Sequence, residues 1–349
     1  MNENLEKIIA NFINVDEVKS VSALGEGFIN DTFVVKTKSS DTPNYILQRK
    51  NKSIFTNIPA MMENINKVTS HLKKKISEYG GNPLRETLTL IPAASGSFYF
   101  LDDAGEYYTM CIFIENTVTH QKADSPELAY KGAKGLGKFQ KLLADFKEPL
   151  TDILPGFHNM KFRFNQWDIT LQNDPLGRCK SVKEEIRFIE NYRTEMLDFW
   201  KLVEDGTIPT RVTHNDTKIS NFLFDKNDNV ECVIDLDTVL NSTCLNDFGD
   251  AIRSYANTGL EDDTNLDNVS MDKNIFEAYK AGYLSETQSF LTDIECKYLD
   301  FSAKYITFEQ VLRFLMDYIN GDTYYKIKYP EHNLVRTRAQ KKLFETMIF

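Results

Sequence analysis

Residues 212–224, VTHNDTKISNFLF, and residues 232–238, CVIDLDT, set five polar side chains at fixed spacing against two apolar runs. The apolar stretches NFLF and VECVI flank the polar segment DKNDN, which is the pattern of a β-hairpin. His214, Asp216, Lys218 and Asn221 precede the hairpin, and Asp235 follows it. The residue types suit one kind of chemistry. A carboxylate at Asp216 can accept a hydrogen bond from an acceptor hydroxyl. Asn221 and Asp235 offer hard oxygen ligands of the sort magnesium takes. Lys218 stands two residues past Asp216, and its long chain can reach a phosphoryl group in transfer. A plain polar turn between buried strands does not need Asp, Lys, Asn and a further Asp in this order. His214 is read as holding the loop by hydrogen bonding rather than moving protons.

The order is that of a phosphoryl-transfer loop. In protein kinases the stretch H-R-D-L-x-x-x-N places a proton-accepting aspartate five residues before a metal-binding asparagine. Asp216 and Asn221 are likewise five apart. The stretch HNDTKISN, with N-D in place of R-D, resembles the aminoglycoside phosphotransferase and choline kinase superfamily. Further segments resemble the bacterial N-acetylhexosamine 1-kinases within it: GEGFINDTFVV (25–35), YILQRKN (45–51), LGKFQKLLADF (136–146), GFHNMKFRF (156–164), IDLDTV (234–239), NDFGDAIR (246–253) and RFLMDYINGDTYYK (313–326).

The resemblance implies a two-lobed, protein-kinase-like α+β fold. Residues 1–112 would form a small β-rich nucleotide-binding lobe, and 113–349 a larger helical lobe with the catalytic loop and acceptor site. It implies ATP and magnesium as cofactors. The acceptor would be the anomeric hydroxyl of N-acetylglucosamine or N-acetylgalactosamine, and the product a sugar 1-phosphate. Asp216 and Lys218 would carry the chemistry, Asn221 and Asp235 the metal. Asp216, Thr238, Arg313 and Tyr324 would meet the acceptor, with Tyr325 as a second stacking ring. Other small hydroxyl acceptors stay open: another hexose, methylthioribose, choline, homoserine or an aminoglycoside. So does a catalytically silent binding module, although silent members of such families usually lose one of Asp216, Asn221 and Asp235. A choline site wants an aromatic cage for its quaternary ammonium, and the sequence offers none around the loop.

Composition agrees. The net charge of −10 argues against nucleic acid, whose phosphate backbone calls for clustered Lys and Arg. Five widely spaced cysteines (Cys111, Cys179, Cys232, Cys244 and Cys296) without a C-x-x-C pair argue against a disulfide framework or zinc site. They fit a reduced cytoplasmic compartment. The N-terminus MNENLEKIIANF lacks the apolar core of a signal peptide. No run reaches about 18 apolar residues, so no membrane span is expected.

Periodicity gives the organisation. A short helix is expected at 3–14, then strands at 19–24, 31–37 and 44–49. Gly25 and Gly27 lie in a strand–turn–strand layout, where backbone amides can approach phosphates. The expected nucleotide cover comprises Gly25, Gly27, Phe28, Ile29, Asn30 and Thr32. A helix beginning near Pro59 packs through Ile58, Met61, Ile65, Val68, Leu72 and Ile76. Its Glu63 falls opposite that face and is expected in solvent. The strand YILQR has no lysine, so Arg49, with its bidentate fork, is the candidate for the nucleotide phosphates. Short strands at 87–91 and 97–101 precede YYTMCIFIENT (107–117), whose backbone at Phe113, Ile114 and Glu115 can pair with an adenine edge.

The rest is expected to be helical at 126–145, 181–204, 247–257, 272–283, 289–320 and 334–348. A Pro- and Gly-rich irregular connection, carrying His158 and Arg163, is expected at 147–180. Asp247 is expected to cap its helix and brace the loop. Arg313, crowded by Phe308, Val311, Leu312, Leu315 and Ile319, needs a partner, and Asp317 or a ligand hydroxyl can provide it.

Overall fold

The computed structural model describes residues 3–24 and 30–349. It has the expected α+β kinase-like composition, with one small antiparallel sheet and a larger helical region. The chain divides into two compact units. One holds residues 1–119, 142–154 and 221–240, and the other 120–141, 155–220 and 241–349.

The first unit is built on six strands: β1 (Val18–Ala23), β2 (Asp31–Thr37), β3 (Tyr45–Lys50), β4 (Leu90–Ile91), β5 (Phe100–Leu101) and β6 (Tyr107–Ile112). They run in the order β1-β2-β3-β6-β4, with β5 also pairing with β6. One face of this sheet buries Val18, Val35, Tyr45, Leu47, Tyr108 and Met110 against Ile8 and Ile9 of the helix Glu3–Ile9. That burial of β-branched and aromatic side chains fixes the register, because a slip of one residue turns the apolar set to the wrong face. The helix Ile58–Glu78 starts on an Asn57 cap, and all six expected core residues are buried. Glu63 is exposed and pairs with Lys67 one turn on. The helix is tied to the segment after Asp235 through Asn64, whose amide donates to Val239 O at 3.4 Å and Thr151 O at 2.8 Å.

The first unit also contains the hairpin of β7 (Phe222–Phe224) and β8 (Val230–Val233), paired Phe222 to Val233. Asp225 closes the turn by accepting from the Asn227 and Asn229 amides.

The second unit is helical. The helix Cys244–Tyr255 lies against the helix Asp293–Ile319. Thr292 and Glu295 form a reciprocal capping box at the start of the latter. Two expectations need correction here. Residues 147–180 are not irregular throughout, since Met160–Asn173 is a helix capped by Asn159, with Phe164 and Trp167 buried. Its weak amphipathic pattern and the flanking prolines hid it. Asp247 is not the helix cap either. Thr243 caps the helix, accepting from Leu245 N, and the helix starts three residues before Asp247. Asp247 is thereby left pointing from the first turn.

Gly249 sets how closely the two helices approach. A Cβ there would meet Ser302 O at 2.3 Å and its carbonyl carbon at 2.7 Å. Intrinsic helix propensity favours alanine over glycine by about 1 kcal/mol. A clash with unyielding backbone costs roughly 1–3 kcal/mol or more, so the clash wins. Gly249→Ala should therefore lower the urea midpoint with an unchanged slope, and a gain in stability would refute the close approach.

Candidate active site

In the second unit, the loop after strand Arg211–Thr213 is held by side chains from the helix Cys244–Tyr255. Asp247 Oδ2 accepts from His214 N at 3.0 Å, and Oδ1 from Asn215 N at 2.7 Å. Asp216 N donates to His214 Nδ1 at 3.2 Å. Thr217 N donates to Asp250 Oδ2 at 2.8 Å, and its hydroxyl to Asp247 O at 2.6 Å. Asp247 and Asp250 are three apart, hence on one helix face, and they satisfy the amides on either side of Asp216. Both are buried. Gln140 donates to Asp247 Oδ2 at 2.8 Å, and Arg253 donates to Asp250 Oδ1 at 2.9 Å. Burial pushes the Asp247 carboxyl up, while the N–H donors of His214, Asn215 and Gln140 pull the other way. This network leaves Asp216 partly exposed, with its carboxylate 2.7 Å from Lys218 Nζ.

The acceptor-side candidates of the same unit form a second cluster. The Arg313 guanidinium lies among three aromatic rings: Phe157 at 5.7 Å, Tyr324 at 5.8 Å and Tyr325 at 5.5 Å. Among the described residues no carboxylate forms an ion pair with it. Asp317 is not its partner, which corrects that expectation. The Asp317 carboxylate instead accepts from the amides of Thr323, Tyr324 and Tyr325 at 2.8–2.9 Å and from Asn333. It thereby folds the turn that presents the two tyrosines. The Tyr325 hydroxyl is buried without a hydrogen-bond partner in the protein. Tyr324 is exposed, and its ring meets Tyr325 edge-on.

In the first unit, the phosphate-side candidates sort by the pleat. Along β3, Ile46, Gln48 and Lys50 share one face, and Arg49 lies on the other. Arg49 is exposed and forms a bidentate pair with Asp31, its cross-strand neighbour. The strand does contain a lysine. It extends one residue past the expected end, and Lys50 is buried with its Nζ 2.7 and 2.8 Å from the two oxygens of Asp237. Alternation along YILQRK is the signal that separates Lys50 from Arg49. Asn30 Nδ2 donates to Asp237 at 2.7 Å, and Gln48 Oε1 accepts from Lys50 at 2.8 Å. Gln48 also reaches Thr32. Asp237 has both oxygens engaged by Lys50 and Asn30. Gly25, Gly27, Phe28 and Ile29 lie outside the described residues.

Asn221 and Asp235 flank the β7–β8 hairpin. Ile234 N donates to Asn221 O at 2.9 Å, which sets the two segments side by side. Asp235 adopts a left-handed conformation, φ 61°, and starts the short turn Leu236–Thr238. Two hard oxygen side chains fit a hard divalent cation that keeps water and phosphate as its other ligands. Among the described residues no cluster of three or more His, Cys, Asp or Glu forms a closed metal cage. Thr238 is partly buried in that turn. At 113–115, Phe113 N donates to Asn44 O, Ile114 O accepts from Thr117, and Glu115 O accepts from Arg85. An adenine edge would have to use the remaining backbone groups. No described helix is long and apolar enough to cross a membrane.

Residues 20–286 match the model of the phosphotransferase enzyme family. The chain belongs to that family. Solved structures extend the likeness at the level of fold. A microcompartment-associated aminopropanol kinase superposes with a TM-score of 0.66 at 14% identity, covering 97% of this chain and 94% of that one. An ethanolamine kinase from Plasmodium vivax gives 0.60 at 14%, over 96% and 85%. The amicoumacin kinase solved with AMP-PNP, Ca2+ and Ami gives 0.59 at 12%, over 99% and 93%.

The Lys50–Asp237 pair has side-chain exposures of 2% and 6%. Removing one partner leaves a buried charge, worth about 3–5 kcal/mol. Lys50→Met should destabilise by that order in chemical denaturation, and adding Asp237→Leu should recover much of the loss. Strict additivity of the two single changes would show that the pair is not coupled.

Proposed function

We propose that this phosphotransferase is an ATP- and divalent-metal-dependent kinase of a small hydroxyl acceptor. In the finer reading, it phosphorylates the anomeric hydroxyl of an N-acetylhexosamine. Asp216 takes the acceptor proton. Asn221 and Asp235 hold the metal, magnesium by preference of its hard oxygen ligands. Lys218 faces the transferred group, and Lys50 replaces Arg49 as the nucleotide-side cation because it is buried on the face of β3 opposite Tyr45 and Leu47, while Arg49 is exposed and paired with Asp31. The kinase neighbours, including one crystallised with a nucleotide analogue and a divalent ion, support the cofactor assignment.

The observation that carries the acceptor reading is the Arg313 cluster. Among the described residues the half-buried Arg313 guanidinium forms no ion pair and the buried Tyr325 hydroxyl finds no hydrogen-bond partner, and the two stand together among aromatic rings. Buried polar groups in this condition want a ligand with several oxygens. Sugar hydroxyls and an acetamido carbonyl supply them, and the rings offer a stacking face. Two neighbours are named for amino alcohols, aminopropanol and ethanolamine. A positively charged acceptor of that kind would face the Arg313 charge directly, so this chain favours a neutral one.

Turnover with ADP release across a panel of sugars and amino alcohols tests the class, and phosphorus NMR of the product tests the position. The expected product is the 1-phosphate of N-acetylglucosamine or N-acetylgalactosamine. A 6-phosphate, or turnover of amino alcohols alone, would overturn the acceptor assignment. Asp216→Asn should keep nucleotide binding and lose roughly 10²–10⁴-fold in kcat. Asp235→Ala should abolish turnover at any practical magnesium level, with Asn221→Ala milder. Arg313→Ala should raise KM more than it lowers kcat. A charge-assisted hydrogen bond of about 1.5–3 kcal/mol corresponds to a loss of roughly 10- to 150-fold in kcat/KM.

A further inference from the structure

The peptide unit joining Asn215 to Asp216 is gripped at both ends by histidines. Its N–H donates to His214 Nδ1 at 3.2 Å, and its carbonyl oxygen faces His158 Nε2 at 3.3 Å. The other nitrogen of His158, Nδ1, is 2.6 Å from Glu309 Oε2. The two rings therefore need opposite proton states. A ring nitrogen that accepts carries no proton, so His214 is bare at Nδ1. His158 has an acceptor at each nitrogen. A carbonyl has no proton to give, and neither has Glu309 while it is ionised. The Glu309 carboxyl is driven far below the ordinary carboxylate range: burial raises it, but the facing His158, followed by Arg163 and Arg313, outweighs that. Each nitrogen of His158 thus faces an acceptor.

We propose that His158 is a positioning residue for the phosphoryl transfer assigned above. As an imidazolium bridging Glu309 and the Asn215 carbonyl, it fixes the peptide that carries Asp216. The inference rests on the kinase reading for its catalytic consequence and on hydrogen-bond geometry for the state of the ring.

The surroundings agree with a built device. His158 is 2% exposed. Arg163 Nε occupies the second oxygen of Glu309 at 3.1 Å, so the carboxylate cannot turn away from the ring. The Tyr305 hydroxyl donates to His158 O at 2.8 Å, and the Phe157 ring lies 4.2 Å from the imidazole. His158 and Asn215 are both held in the left-handed region, at φ 55° and 66°. Non-glycine residues stay there only where their surroundings dictate it, and such positions cluster at functional sites. A neutral imidazole would lose one of its two bonds and loosen its hold on the peptide that joins Asn215 to Asp216. The Asp216 carboxylate, one residue on, would tilt with it.

The test has two arms. In long-range nitrogen–proton correlation spectra of the wild-type protein at neutral pH, the five histidines should include one ring with both nitrogens protonated, assigned to His158. Another, assigned to His214, should have a bare Nδ1. The second arm is kinetic. His158→Gln keeps a single donor and should lower kcat on the order of 10²-fold, the scale of a small misplacement of a reacting group. The KM values for nucleotide and acceptor should be unchanged, and the unfolding midpoint should show a folded protein. His158→Phe, with no donor, should fall at least as far. A neutral His158 ring overturns the proposal. So does a folded His158→Gln with wild-type kcat, or one whose loss lies in KM. Absence of kinase turnover in the wild type is a different outcome: it overturns the functional reading, while the spectra still decide the state of the ring.

Discussion

The buried carboxylate of Asp247 is the interaction on which the geometry of the loop at residues 214–217 depends. A charge at no solvent exposure is tolerable only if donors surround it. Here those donors are backbone amides, His214 N and Asn215 N, together with Gln140, which is itself fixed by the Tyr283 hydroxyl. The carboxylate and the loop need each other. Asp247 supplies acceptors to the His214 and Asn215 amides, and among the described residues it forms no salt bridge. Asp250 repeats the arrangement one turn later for Thr217, with Arg253 as its counter-charge. Residues 214–217 thus have every amide accounted for, two by Asp247, one by His214 Nδ1 and one by Asp250. A loop so satisfied can hold Asn215 in a left-handed conformation and still present Asp216 outward.

This network explains the stretch NDFGDAIR residue by residue. Asp247 and Asp250 face the loop, Phe248 and Ile252 are buried, and Gly249 admits the helix Asp293–Ile319. The sequence made the bracing role of Asp247 legible, because the segment follows the metal strand at a short interval. It did not reveal which residue caps the helix, because Thr243 and Asp247 are both good caps and only the start at Cys244 separates them.

Regular features were legible for a physical reason. Burial of one face imposes a period of 2 or 3.6, and Ile58 to Ile76 or Tyr45 to Leu47 show it directly. The order of Asp216, Asn221 and Asp235 is local and visible in the sequence, and the roles proposed for them rest on that order. What escaped was long-range pairing. Lys50 meets Asp237 across 187 residues, and His158 meets Glu309 across 151, and neither pair leaves a mark on its own segment. Arg49 was chosen for its fork, but the pleat decides, and it sends Arg49 to Asp31. Asp317 stands one turn after Arg313, as an ion pair requires. Three amides of the following turn claim it instead, at 2.8–2.9 Å.

The Glu309 cluster shows which need prevails where stability and positioning compete. Glu309 is fully buried, bonds His158 and Arg163 directly, and acts on Arg313 from the same helix. Desolvating such a group is costly, and well-packed apolar residues of the same volume would often serve a core as well or better. Around it the core does use that solution: Phe164, Phe188 and Phe308 pack ring on ring. Charge therefore persists at the one place where the core touches the Asn215 carbonyl, while the neighbouring layer is aromatic. An apolar substitute could fill the space but could not hold a carbonyl oxygen in place. A directional bond to the Asn215 carbonyl is what the charged cluster adds to the anchoring that His214 and Asp247 give the same loop.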